Sequence, residues 1–456
     1  MKKIWSILLI ITIILCPVFG INANAAYDDV MESLDLYSDC VLLMNSDNQE
    51  IIFQKNAGKQ TSPASLTKVV TAIVVLENCS DLNAMVTVPE SCIRELDGTG
   101  SSLGGLQPGE TLSVYNLVAS MLIQSANEAA TTLADYISGG DRAKFITMMN
   151  ETAKKLGCDN SHFVNPHGLD DENQYVTAKD MAKFILYAME FPTFAEIVGK
   201  VTHVLPATNL QEDRTIRNTN NLMNSAYKDY YCKYVKGGKT GSTSIAGRCV
   251  IAVASNNGYN YVGVALNSTF YDVDGDGVDE NGAFLDCKEM FEWAFKNLEL
   301  VAVSDTNRIV GQIPIKYAKS TDYITLSPAE TVYSLLPAGT EVGGLLPELI
   351  EETVPEYVKA PVKKGQVICR GRVLYAGEVI KEIDLVASMD VKRSAFAFIG
   401  TVAKEIFSSW LFRIAALAVI IALIVLIIMR RKKDKNKPTD NKNYRILNYN
   451  DFMKLK

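Results

Sequence analysis

The sequence predicts a mixed α/β (α+β) domain, then a small all-β domain, then one C-terminal transmembrane helix. Three observations carry this. Two segments in which apolar runs flank a polar turn, one over residues 41–53 and one over 248–266, bracket a helix-rich middle, the pattern of one sheet with helices packed on it. From about residue 301 to 392 the helical periodicity fades, and short β-branched runs (Ile313–Ile315, Tyr323–Leu326, Gln366–Cys369) alternate with Pro, Gly and Asp. Leu411 to Met429 is then apolar apart from Arg413 and is followed at once by Arg430, Arg431, Lys432, Lys433, Lys435 and Lys437.

Taken in chain order, Lys2 and Lys3, an apolar run from Ile4 to Phe19 and the small-x-small site Ala23-Asn24-Ala25 mark residues 1–25 as a secretory signal. Residues 26–297 form the expected α/β domain and 301–392 the β-rich one, because the exported length exceeds one small core. Residues 393–410 read as a linker. The run 411–429 is long enough to cross a hydrocarbon core at about 1.5 Å per residue, with Arg413 reaching to the interface and Trp410 in the interfacial belt. The basic cluster places the tail, 430–456, in the cytoplasm and the folded domains outside, on a single-pass anchor in the cell membrane. Lipid membrane is therefore an expected partner.

A net charge of -7 argues against nucleic acid as a ligand. Of nine cysteines, Cys16 lies in the signal, and none of the rest forms Cys-x-x-Cys; on apolar segments they read as buried thiols. The three histidines form no His-Glu-x-x-His, which disfavours a zinc peptidase. Asp272-Val273-Asp274-Gly275-Asp276-Gly277 has the spacing of half a calcium loop, but position twelve is Ala283, with only Asp286 near enough to substitute. The same spacing describes an acidic solvated turn. No metal or cofactor is assigned.

The chemistry sits in three motifs, in one order: Ser65-Leu66-Thr67-Lys68, Ser125-Ala126-Asn127 and Lys239-Thr240-Gly241. The first two have look-alikes at Ser225–Lys228, Ser46–Asn48 and Ser255–Asn257; the third has none. Ser62 and Pro63 read as a helix cap and first turn, and Val69, Val70, Ile73 and Val74 continue a buried helix. Ser65 and Lys68 then share one face of its first turn. A desolvated lysine near other cations is neutral near neutral pH and takes the proton of a serine nucleophile, while the helix N-terminus favours a developing oxyanion. Ser125 interrupts a helical stretch, where its hydroxyl can relay a proton and the Asn127 amide can hold a substrate carbonyl. Lys239 and Thr240 suit a carboxylate, and Gly241 admits a substrate backbone. Arg248 reads as a solvated strand charge. Gly100-Ser101-Ser102-Leu103-Gly104 matches a nucleophile elbow but lacks the flanking strand and helix, so it reads as a loop.

With these motifs the chain resembles the serine-type D-alanyl-D-alanine carboxypeptidases, the low-molecular-mass penicillin-binding proteins. Gly109-Glu110, Asn165-Pro166-His167-Gly168-Leu169, Asn218-Thr219-Asn220 and Ala246-Gly247 match the family's spacers, and Ala360 to Gln366 matches its C-terminal β domain. The resemblance spans roughly residues 27–392. It implies a β-lactamase/transpeptidase-like catalytic domain that removes D-Ala from peptidoglycan stem pentapeptides ending in D-Ala-D-Ala and is acylated by β-lactam antibiotics. It implies Ser65 as nucleophile, Lys68 as base, Ser125 as relay, Asn127, Lys239 and Thr240 as substrate ligands beside Gly241, and the N–H groups of Ser65 and Ser242 as the oxyanion hole. Glu128 stands where members often carry Asp, and Gln174 where many carry His, so no catalytic role is expected at Gln174. Two rivals share the acylation step. A β-lactamase needs a deacylating base, and no clear Glu-x-x-Leu-Asn segment is present; a non-catalytic β-lactam sensor needs an output domain, for which the tail is short.

Overall fold

Continuous apolar runs in the early and late hairpins build one antiparallel sheet. Its strands are β1 (Cys40–Asn45), β2 (Ile51–Lys55), β3 (Val235–Thr243), β4 (Gly247–Asn256) and β5 (Tyr259–Ser268), in the spatial order β2-β1-β5-β4-β3. The computed structural model describes residues 34–272, 277, 279–340, 345, 347–375 and 378–435. Because successive side chains point to opposite faces, the apolar runs serve two cores. Val41, Leu43, Val250, Ala252 and Ala265 join Phe284, Cys287, Met290 and Phe291 of helix α6 (Gly282–Asn297). Leu42, Met44, Ile251, Val253 and Val264 join the helix-rich middle. That middle contains α1 (Thr67–Asn78), α2 (Val114–Ile123), α3 (Asn127–Ser138), α4 (Arg142–Lys155) and α5 (Ala178–Met189). Each fully buried Val, Leu, Ile or Phe contributes about 1.5–3 kcal/mol. Gly263 lets α6 lie close on the sheet, since a Cβ there would fall 2.8 Å from Phe291 Cζ.

By contacts the chain divides into two units, the first running to Val303 and including Tyr333–Leu345 and Leu374–Lys381. The second unit holds a β fold, with strands of a six-stranded sheet at Gly311–Lys316 and Tyr323–Pro328 and the Glu382–Ala387 part of a third among others. Ile313, Ile315, Ile324, Leu326 and Leu385 are buried in it, while Gln312, Pro314 and Lys316 face out, the period-two pattern of a half-solvated strand. Helix α7 (Ala395–Ser408) occupies much of the segment expected as a linker and exposes Phe396, Ile399 and Phe407. Helix α8 (Trp410–Lys435) carries a stretch, Trp410–Lys432, that is unburied and long and apolar enough to cross a membrane.

The signal, the tail beyond Lys435 and residues 273–276 and 278 of the acidic loop lie outside the described residues. The Asp286 carboxylate accepts the backbone N–H groups of Tyr37 at 2.9 Å and Ser38 at 2.7 Å. Among the described residues no group of three or more His, Cys, Asp or Glu is placed to hold a metal. The eight described cysteines are free thiols, all buried except the half-buried Cys79.

Candidate active site

Ser65 stands on a single 3-10 turn, Ala64–Leu66, and the α-helix begins only at Thr67. Ser62 does not cap this helix, contrary to the sequence expectation; its Oγ donates to Asp170 Oδ1 at 2.7 Å. Ala64 adopts φ +46°, a left-handed conformation that costs an alanine about 1–3 kcal/mol and is held only by its surroundings. Two glycines do the holding. At Gly168, φ +93°, a Cβ would fall 1.9 Å from Ala64 O. At Gly241 a Cβ would fall 3.0 Å from Ala64 Cβ and 3.1 Å from Ser65 N. Gly241, expected to admit substrate, thus also makes room for the turn that carries Ser65.

Lys68 is fully buried, and its Nζ lies 2.7 Å from Ser65 Oγ, 2.6 Å from Asn127 Oδ1 and 2.6 Å from His167 O. The amide and backbone carbonyl can only accept; the hydroxyl can donate. A neutral amine offers two N–H donors and one lone pair, which fits this set with the lone pair on the Ser65 proton. Burial drives the Lys68 pKa well below the usual lysine range, and the Lys239 charge lowers it further. His167 is itself kept neutral, its pKa pushed down to about 3 by burial and then by Lys68.

Ser125 follows α2 with φ +67°, and its Oγ accepts from Lys239 Nζ at 3.1 Å. The third motif lies inside edge strand β3. Lys239 is buried, donates to Thr240 O at 2.8 Å, and has its pKa lowered by burial to about 7. It is therefore near balance at neutral pH, and a bound carboxylate favours its ammonium form. Replacing Lys239 with Gln removes a positive charge facing Lys68, so the Lys68 pKa rises. Since the neutral amine is the base, the acid limb of penicillin acylation should move to higher pH; rates measured from about pH 5 to 10 would contradict this if the limb stayed or moved down.

Other residues complete the site and were not read as functional from sequence. Thr240 Oγ1 lies 2.6 Å from Thr219 Oγ1. Arg248, expected to be solvated, donates to Ser242 Oγ and stacks on Phe270, 4.1 Å from the ring centroid. With Ser125, Thr219, Thr240 and Gly241 it lines a cavity of about 200 Å³ beside Ser65. Glu128 Oε1 accepts from Gly104 N at 2.6 Å and Leu106 N at 3.2 Å, fixing the loop that looked like a nucleophile elbow; Ser102 of that loop accepts from Asn127 N. Gln174 is buried: its Oε1 accepts from Val164 N and Asn165 N, and its Nε2 donates to Asn165 Oδ1 and Leu169 O. It braces the segment that presents the His167 carbonyl to Lys68. The spacer segments around His167 and Thr219 were the available sequence signal.

A five-stranded antiparallel sheet between helices, with two Ser–Lys contacts meeting at its edge strand, is the architecture of the penicillin-recognising, transpeptidase-like hydrolases. The chain belongs to the D-alanyl-D-alanine carboxypeptidase family, whose model matches residues 27–269, and its function is that of the family; residues 299–393 match the C-terminal domain of penicillin-binding protein 5. It is 26% identical over 411 residues to the D-alanyl-D-alanine carboxypeptidase DacF of Bacillus subtilis, covering 90% of this chain and 99% of that protein. To DacC of Escherichia coli it is 28% identical over 393 residues, covering 83% and 90%. Among solved structures, penicillin-binding protein 5 from Haemophilus influenzae matches with TM-score 0.59 and 25% identity over 79% of this chain and 99% of that one. The carboxypeptidase DacD from Francisella tularensis matches with TM-score 0.63 and 25% identity over 79% and 95%.

Proposed function

We propose that this protein is a serine carboxypeptidase that trims the terminal D-Ala from peptidoglycan stem peptides through an ester on Ser65. The observation that carries the reading is the buried, hydrogen-bonded Lys68 amine 2.7 Å from Ser65 Oγ. Ser65 Oγ attacks the carbonyl carbon of the penultimate D-Ala, and its proton passes to Lys68 Nζ. The backbone N–H groups of Ser65 and Ser242 stabilise the oxyanion. The C–N bond breaks as Lys68 passes that proton to the leaving amine through Ser125, which Lys239 contacts; free D-Ala departs and Lys68 is neutral again. Water then attacks the ester, Lys68 takes one of its protons and delivers it to Ser65 Oγ, and Ser65 leaves as the hydroxyl. Asn127 holds the carbonyl of the acyl side, while Lys239, Thr240 and Arg248 take the terminal carboxylate. A β-lactam, an amide with a nearby carboxylate, enters by the same attack. Residues 26–297 carry this chemistry, 301–392 form the β domain, and Leu411–Met429 anchors the protein with its basic tail in the cytoplasm.

The test uses the purified protein in detergent. One equivalent of penicillin should add to the intact mass and map to Ser65, and a peptide ending in D-Ala-D-Ala should release D-Ala over many turnovers. One-equivalent labelling without peptide turnover would overturn the carboxypeptidase reading in favour of a sensor. Penicillin turnover outrunning peptide turnover would favour a β-lactamase.

A further inference from the structure

The two look-alikes of the second motif, Ser46–Asn48 and Ser255–Asn257, take no part in the site around Ser65, yet the fold brings them together. β1 runs antiparallel to β5 with Asn45 opposite Tyr261, so the turn after β1 lies beside the turn between β4 and β5, and Ser46 N donates to Asn260 O at 2.8 Å. Leu300, Tyr333 and Leu335 stand against these turns and complete a cavity of about 440 Å³, lined wholly from the first unit. Six residues of extended strand separate Asn257 from Ile251, the partner of Lys239, which puts the cavity roughly 20 Å from the third motif.

The lining suits an uncharged ring with one apolar face. Asn45 is only 5% exposed. Its Oδ1 accepts the backbone N–H groups of Asp47 at 2.9 Å and Asn48 at 3.1 Å, which fixes the amide's orientation and leaves Nδ2 without a partner among the described residues. An amide donor so nearly buried is costly to leave unpaired, and an acceptor on a ligand in the cavity relieves that cost. The Tyr259 hydroxyl accepts from Leu300 N at 3.1 Å and keeps its own O–H to donate. Tyr333, 56% exposed, offers a rigid ring, and Leu300 and Leu335 supply aliphatic surface. Asp47, whose carboxylate accepts from Asn260 Nδ2 at 3.1 and 3.3 Å, has lone pairs left for ligand hydroxyls. No lysine or arginine is among the described residues that line the cavity, which disfavours a phosphate or carboxylate ligand. The volume and the few converging polar groups are those of a small-ligand site.

We propose that this cavity binds an N-acetylated sugar of a glycan chain. An acetamido group, a carbonyl beside a methyl, is the substituent that uses both the Asn45 amide and the leucines. The apolar face of the sugar ring lies on Tyr333, and its hydroxyls meet Asp47 and Tyr259. The binding goes beyond the carboxypeptidase reading and does not depend on it. Taken with that reading, a glycan held here raises the local concentration of its attached stem peptides near Ser65 and leaves turnover of a free peptide unchanged.

The experiment titrates two trisaccharides into the purified protein, in a detergent without a sugar headgroup and with Ser65 blocked by penicillin. One is chitotriose, a trimer of N-acetylglucosamine; the other is cellotriose, the same rings without acetamido groups. Calorimetry should give a Kd of about 1 mM or tighter for chitotriose and binding about tenfold weaker for cellotriose. Tyr333→Ala removes the exposed ring and should weaken chitotriose about tenfold. Asn45→Asp keeps the acceptors for Asp47 N and Asn48 N, removes the donor, and should weaken it by a similar factor. One-equivalent penicillin labelling reports the folding of each variant, and the exposed position of Tyr333 keeps the test available if the Asn45 variant does not fold. No chitotriose binding up to about 10 mM, equal binding of cellotriose, or wild-type affinity in the folded Tyr333 variant overturns the proposal. Failure of the unblocked wild type to release D-Ala from a free peptide would instead sink the carboxypeptidase reading and leave the sugar result standing.

Discussion

Replacing Lys68 with Met is expected to slow penicillin acylation of Ser65 by about a thousandfold or more while the protein stays folded. General-base catalysis contributes about 10²–10⁴ in rate, and among the described residues no second base touches the Ser65 hydroxyl: His167 offers Lys68 only its backbone carbonyl, and its ring Nδ1 accepts from Leu169 N. Stability responds to opposing terms. Methionine leaves Asn127 Oδ1 and the His167 carbonyl without the amine donor, at about 1–3 kcal/mol for an unpaired buried acceptor. It also removes a polar amine from a fully buried position, which favours the variant. The net change should stay within about 2 kcal/mol, a few degrees in Tm for a domain of this size. Stopped-flow acylation and thermal unfolding measured on the same preparation separate the two effects. Acylation within tenfold of wild type would remove Lys68 from the role of base.

What could be read from the sequence was local. Ser65 and Lys68 are three residues apart, so one turn of backbone decides their contact, and the structure brings them to 2.7 Å. The two hairpins were legible because both faces of the sheet are buried and their strands are almost wholly apolar. The parts that were missed depend on partners distant in the chain or on atoms that carry no side-chain signature. Ser62 looked like a cap because its acceptor, Asp170, lies 108 residues away. The third ligand of the Lys68 amine is a backbone carbonyl, which any residue at position 167 would supply. Arg248 looked solvated because its place depends on the register of β3 with β4, which sets it opposite Ser242. Gln174, set aside because it departs from the family pattern, is read differently once its four hydrogen bonds are counted: it holds the segment that aims that carbonyl. The departure changes a side chain at a bracing position and leaves the amine's partners in place.

The same dependence on backbone makes Gly168 the most sensitive position that bears no functional group. Replacing Gly168 with Ala sets a methyl 1.9 Å from Ala64 O and 3.0 Å from Ser65 N, against backbone that has no rotamer to change. It also forces an L-residue to φ +93°. Either the 165–169 segment retreats, withdrawing the His167 carbonyl from Lys68, or the nucleophile turn shifts. A displacement near 1 Å at a reacting atom costs about a hundredfold, and penicillin acylation should fall by that factor. Overpacking and backbone strain together should lower stability by about 2–4 kcal/mol. Gly139→Ala is the control, since Gly139 also has positive φ, +72°, but open space where a Cβ would go. It should cost about 1–2 kcal/mol from conformation alone and leave acylation unchanged. Comparing acylation rates per folded molecule distinguishes the two. If Gly168→Ala acylates as fast as Gly139→Ala, the clamp on the nucleophile turn does not set the geometry of attack, and the strain stored at Ala64 belongs to folding alone.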